Sequence, residues 1–331
     1  MSNPIRITAP GIYPSMSAEI YHSDPAPEPS LSSTAAKALM GQSPLHAWVK
    51  SPRLNPDWEP THKEEFDLGT ACHTMLMGDG PKIDRLDFTD RRTAAYKEAV
   101  ALARAARMTP LLAADYDRAE SMMEAVAAHL EEAGIPDGFN RNAVDEVECS
   151  AFAQVDGIWC RARADAIIWP KNGRPGVIRD FKTVGGTAPD ASPEGACKAV
   201  SRLGYDLQTS HYVSTFQEAW EAETGERAKF VFQFGIFETV NPFLGIIAEL
   251  ADEWQEFADK LAARAREQWA YCMRTGNFPG YPTSVVILEP PIWLARRAYE
   301  RLEFETAHKS RTGQDVLDEA LQFQSPLPAA E

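Results

Sequence analysis

Glu146-Val147-Glu148-Cys149-Ser150-Ala151-Phe152-Ala153-Gln154-Val155, then Asp156-Gly157, then Ile158-Trp159-Cys160-Arg161-Ala162-Arg163-Ala164-Asp165-Ala166-Ile167-Ile168 is the stretch that decides the fold. Polar and apolar residues alternate through both segments, the period of half-buried strands. Glu146, Glu148, Ser150 and Gln154 fall on one side of the first. Val147, Cys149, Ala151, Ala153 and Val155 fall on the other. In the second, Trp159, Arg161, Arg163 and Asp165 oppose Cys160, Ala162, Ala164 and Ala166. Asp156-Gly157 is a two-residue hairpin signal, because both central positions of the favoured turn need positive φ. A turn-rich loop from Pro170 to Pro175 follows, and Val177 to Lys182 reads as a third strand.

Turn positions fix the register. Centring the first turn between Asp156 and Gly157 puts Glu148 opposite Asp165. Centring the second between Asn172 and Gly173 puts Asp165 opposite Asp180. The expectation is one row of three carboxylates on three adjacent strands, with Lys182 beside Arg163 and Ser150 on the same face. Arg179 falls on the apolar face, which points to a bulge or partial exposure there. Like charges side by side repel unless a cation sits among them, and hard carboxylate oxygens suit Mg²⁺, with Mn²⁺ as a substitute. In such a site Asp165 and Asp180 hold the metal, while Lys182 orients a water and stabilises developing charge. The alternative is an acidic solvent face balanced by arginines.

Outward from this core, residues 22–30 are proline-rich and read as an extended loop, followed by a helix capped at Ser32 or Ser33 and a second short one after Ser43-Pro44. Helical patterns cover Phe66 to Met77, about 91–107 and 113–133. Beyond the third strand come helices near 192–202 and 206–223, strands over Phe230–Phe237 and Phe243–Leu250, and a long helix near 251–275. From about 307 onward the chain reads as a polar, weakly anchored tail.

Composition bounds the function. In 331 residues, Lys plus Arg number 33 and Asp plus Glu 48, a formal charge of −15. That excludes a polybasic protein that coats nucleic acid by bulk charge, while leaving room for a local basic channel. No apolar run approaches a membrane span and no signal-peptide pattern opens the sequence, so a cytoplasmic protein is expected. The five cysteines, Cys72, Cys149, Cys160, Cys197 and Cys272, are dispersed and include no Cys-x-x-Cys pair. This disfavours a disulfide framework, a structural zinc and an iron-sulfur cluster. No Gly-x-x-x-x-Gly-Lys phosphate loop occurs, so nothing suggests an ATP-driven motor.

Asp165, followed fifteen residues later by Asp180 within Arg179-Asp180-Phe181-Lys182-Thr183, resembles the PD-(D/E)xK nuclease signature. Gly69-Thr70-Ala71-Cys72-His73 resembles the Gly-x-x-x-His motif of the RecB-type branch, and Gln208-Thr209-Ser210-His211-Tyr212 its Gln-x-x-x-Tyr motif. Leu31-Ser32-Ser33-Thr34, with Ser43-Pro44 after it, is similar to the N-terminal segment of phage and prophage exonucleases related to exonuclease VIII (RecE). The likeness covers about residues 10–275. Ala164 stands where a proline is common, and Asp180 where many relatives carry Glu.

The resemblance implies an α/β fold with a restriction-endonuclease-like core, a mixed central β-sheet flanked by helices, and helical additions at both ends. The corresponding regions are an N-terminal segment with short helices over 1–60, a nuclease core over 61–280 and a C-terminal extension over 281–331. It implies His73 as a metal ligand beside Asp165 and Asp180, and a similar acidic position in relatives makes Glu148 a second-metal or water-holding residue. Gln208 and Tyr212, one helical turn apart, contact the DNA backbone or brace the site. Arg161 and Arg163 are phosphate contacts or counter-charges to the acids.

The function implied is a Mg²⁺-dependent exonuclease that resects double-stranded DNA ends from the 5′ side and passes 3′ single strands to a RecT-like annealing protein. A homo-oligomeric ring is expected, gathering Arg161, Arg163, Lys198 and Arg202 into its lumen. Two alternatives stand beside this: a CRISPR-associated Cas4-like nuclease, against which the scattered cysteines argue, and an inactive nuclease fold that binds DNA or acts as a scaffold.

Overall fold

The structure is a computed structural model that describes residues 6–59, 67–78, 80–135, 138–186 and 189–317. The chain divides into two units, Met1–Gly280 and Tyr281–Glu331.

The first unit is built on a mixed sheet whose long strands are those read from the sequence: β5 (Glu146–Val155), β6 (Ile158–Ile168), β7 (Gly176–Val184) and β8 (Phe230–Glu238). The order is β1-β5-β6-β7-β8-β9, where β1 is Gly11–Tyr13 and β9 is Gly245–Ala248. β5–β6 and β6–β7 are antiparallel and β7–β8 parallel. Both hairpin turns form as their sequences dictate. Asp156 and Gly157 take φ of 51° and 75°, and Asn172 and Gly173 take 54° and 76°, the positive pair that a tight right-twisted hairpin needs.

Helices cover both faces. On one, α7 (Pro193–Leu203) and α8 (Tyr205–Thr224) pack through Val200, Tyr212, Phe216 and Ala219 onto Cys149, Ala151, Ala162, Ala164 and Ile178. On the other, α4 (Asp67–Met77) and α6 (Ala113–Glu132) pack through Cys72, Met77, Met122 and Val126 onto Val147, Ala166 and Phe181. The small residues of β5 and β6 let α8 lie close to the sheet. Phe66 falls outside the described residues, and within them that helix begins at Asp67.

Besides the helices α1 (Ala18–His22) and α10 (Ile292–Thr312), four short strands among the described residues were not legible in the sequence. β1 is three residues long, and β2 (Leu31–Ser32) two. β3 (Ile83–Leu86) and β4 (Thr109–Leu112) form a separate parallel pair, with α5 (Ala94–Ala105) between them. All are too short to show a period. β2 matters most. It pairs in parallel with Cys160 and Arg161 of β6, on the edge that β7 uses further along, because β5 already occupies the other edge. It runs straight into α2 (Ser33–Gly41), whose N-cap is Ser32, and α3 (Pro44–Val49) follows. The long α9 (Asp252–Thr275) packs Ala265 and Trp269 against Leu31, Leu39 and Leu207.

In the second unit α10 (Ile292–Thr312) is a continuous helix braced by Arg296–Glu300 and Arg301–Glu305 pairs one turn apart. The expected tail is therefore helical as far as residue 312, and residues 318–331 lie outside those described. No helix among the described residues is long and apolar enough to cross a membrane.

Candidate metal and phosphodiester site

The predicted register counts hold on both sides of β6, yet the carboxylate row does not form as a ladder. β5–β6 pairing runs continuously except at one position, passing from Val147–Ala166 to Cys149–Ala164 and skipping Glu148–Asp165. Glu148 has φ of 51° there. Val147 and Ala166 pack toward α4 and α6, whereas Cys149 and Ala164 pack toward α8. The side-chain alternation thus reverses across Glu148 and Asp165, which corrects the expectation that Val147 shares a face with Cys149. Pairing of β6 with β7 covers only Ala166–Arg179 through Ile168–Val177. Asp165 and Asp180 are therefore not ladder partners, and Lys182 does not pair with Arg163. From Asp180 onward β7 leaves β6 and keeps only β8 as a neighbour. The opening between β2 and the departing half of β7 is where the functional groups gather.

His73, from α4, bridges two acids: Nδ1 lies 3.2 Å from Glu148 Oε1 and Nε2 lies 3.1 Å from Asp165 Oδ1. The other oxygen of Asp165 accepts the Phe181 backbone N–H at 2.7 Å, replacing the ladder bond lost where the strands part. Asp180 is buried. Its Oδ1 accepts Gln208 Nε2 at 2.9 Å and its Oδ2 forms an ion pair with Lys182. Lys182 Nζ also sits 4.9 Å from the ring centroid of Tyr205, at the start of α8.

These contacts set the proton affinities. Burial pulls the His73 imidazole down, but Asp165, Glu148 and Asp180 overcome it and push it up to about 9. Burial raises Asp180 to about 6 despite Lys182. Burial works the same way on Asp165, yet His73, then Lys182 and the Phe181 N–H, hold it below the usual range. Glu148 is raised, by burial first and by the Asp165 charge, against His73 and Arg163. Lys182 is raised because Asp180 and Asp165 outweigh its burial.

His73, Glu148 and Asp165 each offer a ligand atom within 4.8 Å of the others. An imidazole nitrogen among carboxylate oxygens is a donor set for Mn²⁺ or Mg²⁺, and a cation there would relieve the repulsion between the half-buried Glu148 and Asp165. Asp180 lies outside this trio, committed to Lys182 and Gln208. On binding, one His73 nitrogen would turn from donor to ligand while the other kept its carboxylate, the usual way such an imidazole is oriented. The acids face a cavity of about 1080 Å³ that also takes in Met16, Gly69, Arg141, Arg163, Lys182 and Tyr205.

For Arg161, Arg163, Gln208 and Tyr212 the structure shows contacts within the protein, those of a brace or a counter-charge. Arg161 is buried, ion-paired to Asp24 at 3.0 Å and bonded to Ser30 O and Oγ at 2.9 and 2.8 Å. Asp24 is the internal anchor of the proline-rich loop, so this guanidinium is structural. Arg163 binds Glu148 Oε2 at 2.6 Å, Ser150 Oγ at 2.7 Å and Met16 O at 2.8 Å, the counter-charge alternative. Gln208 braces Asp180, whereas Tyr212, one turn later, is buried against Phe232. Arg179 is buried too, bonded to Gly138 O and Gln233 Oε1. Sequence reasoning missed Tyr205 and Arg141. Tyr205 lies three residues before Gln208 on the same helix face, a detectable spacing; Arg141 carries no signal. The five cysteines are free thiols, four of them buried.

No curated protein matches this sequence. Among solved structures, the chain is similar to the crystal structure of a "Putative exonuclease" from Eubacterium rectale, with a TM-score of 0.51 and 16% identity over 84% of this chain and 96% of that one. At that identity the likeness shows the fold. Residues 32–284, most of the sequence and every residue of the acidic site, match the PDDEXK-like domain of unknown function (DUF3799), so the chain belongs to this PDDEXK-like family within the PD-(D/E)xK superfamily.

Proposed function

We propose that this protein is a divalent-metal-dependent nuclease that hydrolyses DNA phosphodiesters at the Asp165–Asp180–Lys182 site, with Mg²⁺ as the ion and Mn²⁺ as a substitute. The observation that carries the reading is the convergence of His73, Glu148, Asp165, Asp180 and Lys182 at the point where β7 leaves β6. A bound cation supplies charge to polarise the phosphate and acidify a water. The chain's own groups do the rest. Asp165, fixed by the Phe181 N–H, and Glu148, fixed by Arg163, hold their carboxylates toward the cavity. Gln208 keeps Asp180 from rotating, and Asp180 in turn holds the Lys182 ammonium where it can meet charge developing on a non-bridging oxygen. Lys182 stays protonated in this setting, so it acts as a cation and donor.

The finer reading is a 5′-to-3′ exonuclease of the RecE type, acting on duplex ends in phage-type recombination and delivering 3′ strands to an annealing protein. It rests on the motif set and on the fold. A homo-oligomeric ring belongs to the same proposal, but its lumen cannot rely on Arg161 and Arg163, which are committed internally. Digestion of end-labelled linear duplex and covalently closed circle, with and without Mg²⁺, tests the reading. Metal-dependent loss of the linear form alone supports it. Cleavage after complete chelation overturns the metal site, and equal loss of the circle overturns the exonuclease. Light scattering showing a strict monomer, with and without DNA and Mg²⁺, overturns the ring.

A further inference from the structure

With Arg161 and Arg163 held inside the protein, a backbone contact near the acids must come from another cation. Helix α2 carries one charged residue, Lys37, among small and apolar ones. Its stem crosses the junction of α7 and α8, where Gly204 has φ of 65° and a Cβ would stand 3.0 Å from Lys37 Cδ. A glycine gives both the left-handed turn and the room for that stem. The Lys37 ammonium then sits 5.2 Å from the centroid of the Tyr205 ring, the same ring that lies 4.9 Å from Lys182 Nζ. The two ammonium groups are therefore at most 10.1 Å apart, the sum of those two distances. Tyr205 and Lys182 line the cavity in front of the acids, and Lys37 lies outside that lining. Lys182 is paired with Asp180, whereas Lys37 has neither a hydrogen bond nor an ion pair among the described residues. Its Nζ is not one of the enclosed polar atoms, so solvent reaches it. The two acids that act on it from a distance are engaged elsewhere. Asp180 holds Lys182 and Gln208, and Asp206 accepts the Leu207 N–H at 2.8 Å and the Trp254 indole N–H at 3.1 Å. Burial and then Lys182 push the Lys37 ammonium down to about 8. A half-buried cation facing a second cation is unfavourable in the free protein, and an arriving anion relieves it.

We propose that Lys37 is a substrate-contacting residue of the nuclease, its ammonium taking the DNA phosphate next along the strand from the one held at the acids. The inference rests on the nuclease reading and adds a backbone contact to it. The neighbouring phosphate, rather than the one cleaved, follows from the charges that act on each lysine. Lys182 answers to both Asp180 and Asp165, whereas Lys37 answers chiefly to Lys182, Asp180, Lys50 and Asp206, and so stands further from the metal ligands. Gly204 and the Tyr205 ring hold the stem and the ammonium in place, so little freedom is lost when a phosphate arrives. A contact to phosphate fixes the strand without reading its bases.

The test uses the full chain and a short fluorescein-labelled linear duplex, with Ca²⁺ in place of Mg²⁺ and binding followed by anisotropy across salt concentrations. Lys37→Gln keeps a stem over Gly204 and removes the charge. It should weaken binding about 10-fold, the loss of one bond to a charged group, and make the slope of log affinity against log salt shallower by about 0.9, one phosphate contact. Lys37→Arg keeps the charge and should keep the slope. Lys97→Gln, on the exposed face of α5, removes a charge from elsewhere on the chain and should leave the slope in place. An unchanged slope in Lys37→Gln overturns the contact, since a merely structural role for the stem would not move it. An equal change in Lys97→Gln overturns it too, because bulk charge would then account for the loss, and so does a loss in Lys37→Arg as large as in Lys37→Gln. The nuclease reading fails separately, if the wild-type chain cleaves no DNA with either Mg²⁺ or Mn²⁺.

Discussion

The two halves of β7 have nearly the same composition of neighbours on one side and opposite surroundings on the other. From Gly176 to Arg179 the strand pairs with β8, and with β6 from Val177 on. From Asp180 to Val184 it keeps β8 alone. The first half buries Ile178 in the core beneath α8. The second turns Asp180 and Lys182 toward the same layer, but there the layer is polar, made of Gln208 and the Tyr205 ring. A sheet that loses a strand exposes backbone donors, and the Phe181 N–H is satisfied by a carboxylate in place of a carbonyl. Chemistry is thus positioned by a missing ladder, on a strand kept rigid by the ladder that remains.

Mutations should separate the halves cleanly. Asp165→Asn, Asp180→Asn and Lys182→Ala are each expected to abolish metal-dependent cleavage while leaving the far-ultraviolet spectrum and cooperative unfolding intact, since none removes apolar core. Ile178→Ala should do the reverse. It empties a fully buried site, costs about 2–5 kcal/mol of stability in denaturant melts, and keeps turnover per folded molecule near wild type. Wild-type cleavage by Lys182→Ala would sink the assignment of the second half.

The same contrast explains what could be read from the sequence. The strands from Glu146 to Lys182 were legible because alternation and two turn dipeptides fix type and register together. Asp165, Asp180, Lys182 and His73 were placed by motif spacing, and the structure brings them into one region. The direct carboxylate row was not correct, because ladder arithmetic assumes that pairing continues and that alternation is unbroken. Two events interrupt it: β2 occupies part of the β6 edge, and Glu148, within the row, takes a positive φ. Neither has a local signal, since β2 is only two residues long and Glu148 is not a residue that favours that conformation. The roles of Arg161 and Arg163 were undecidable for a related reason. Their partners Asp24, Ser30 and Met16 lie more than a hundred residues away in sequence.

Smaller effects should follow the brace behind the acids. Gln208 and Tyr212 share a helix face, yet one touches Asp180 and the other fills the core. Gln208→Ala leaves Asp180 and the Lys182 ammonium it holds free to rotate, so it is expected to slow metal-dependent cleavage by about 10–100-fold, the loss of one hydrogen bond to a charged group, measured at saturating Mn²⁺. Tyr212→Phe removes only a hydroxyl and should cost about 1 kcal/mol of stability with the cleavage rate unchanged. Equal cleavage rates in the two variants would show that the brace does not act through Asp180.

A further effect concerns protons in the metal-free protein. His73 is raised from 6.5 to about 9 by Asp165 and Glu148 against the pull of burial. A group with a higher folded than unfolded value binds its proton more tightly in the native state. Its contribution to stability is therefore complete below about pH 6.5 and disappears as pH rises through 9. In chelator, the melting temperature of the wild type should exceed that of His73→Gln most at pH 6 and least above pH 9, with the gap closing between. Metal reverses the trend. The imidazole must give up its proton to ligate, so Mn²⁺ binding at pH 7 should release protons, and stabilisation by a fixed Mn²⁺ concentration should grow with pH over the same interval. Calorimetry in buffers of different ionisation enthalpy counts the protons released. A metal-free gap that stays constant across this range would mean that His73 is neutral between the two acids, and the ion-pair description of the site would fall.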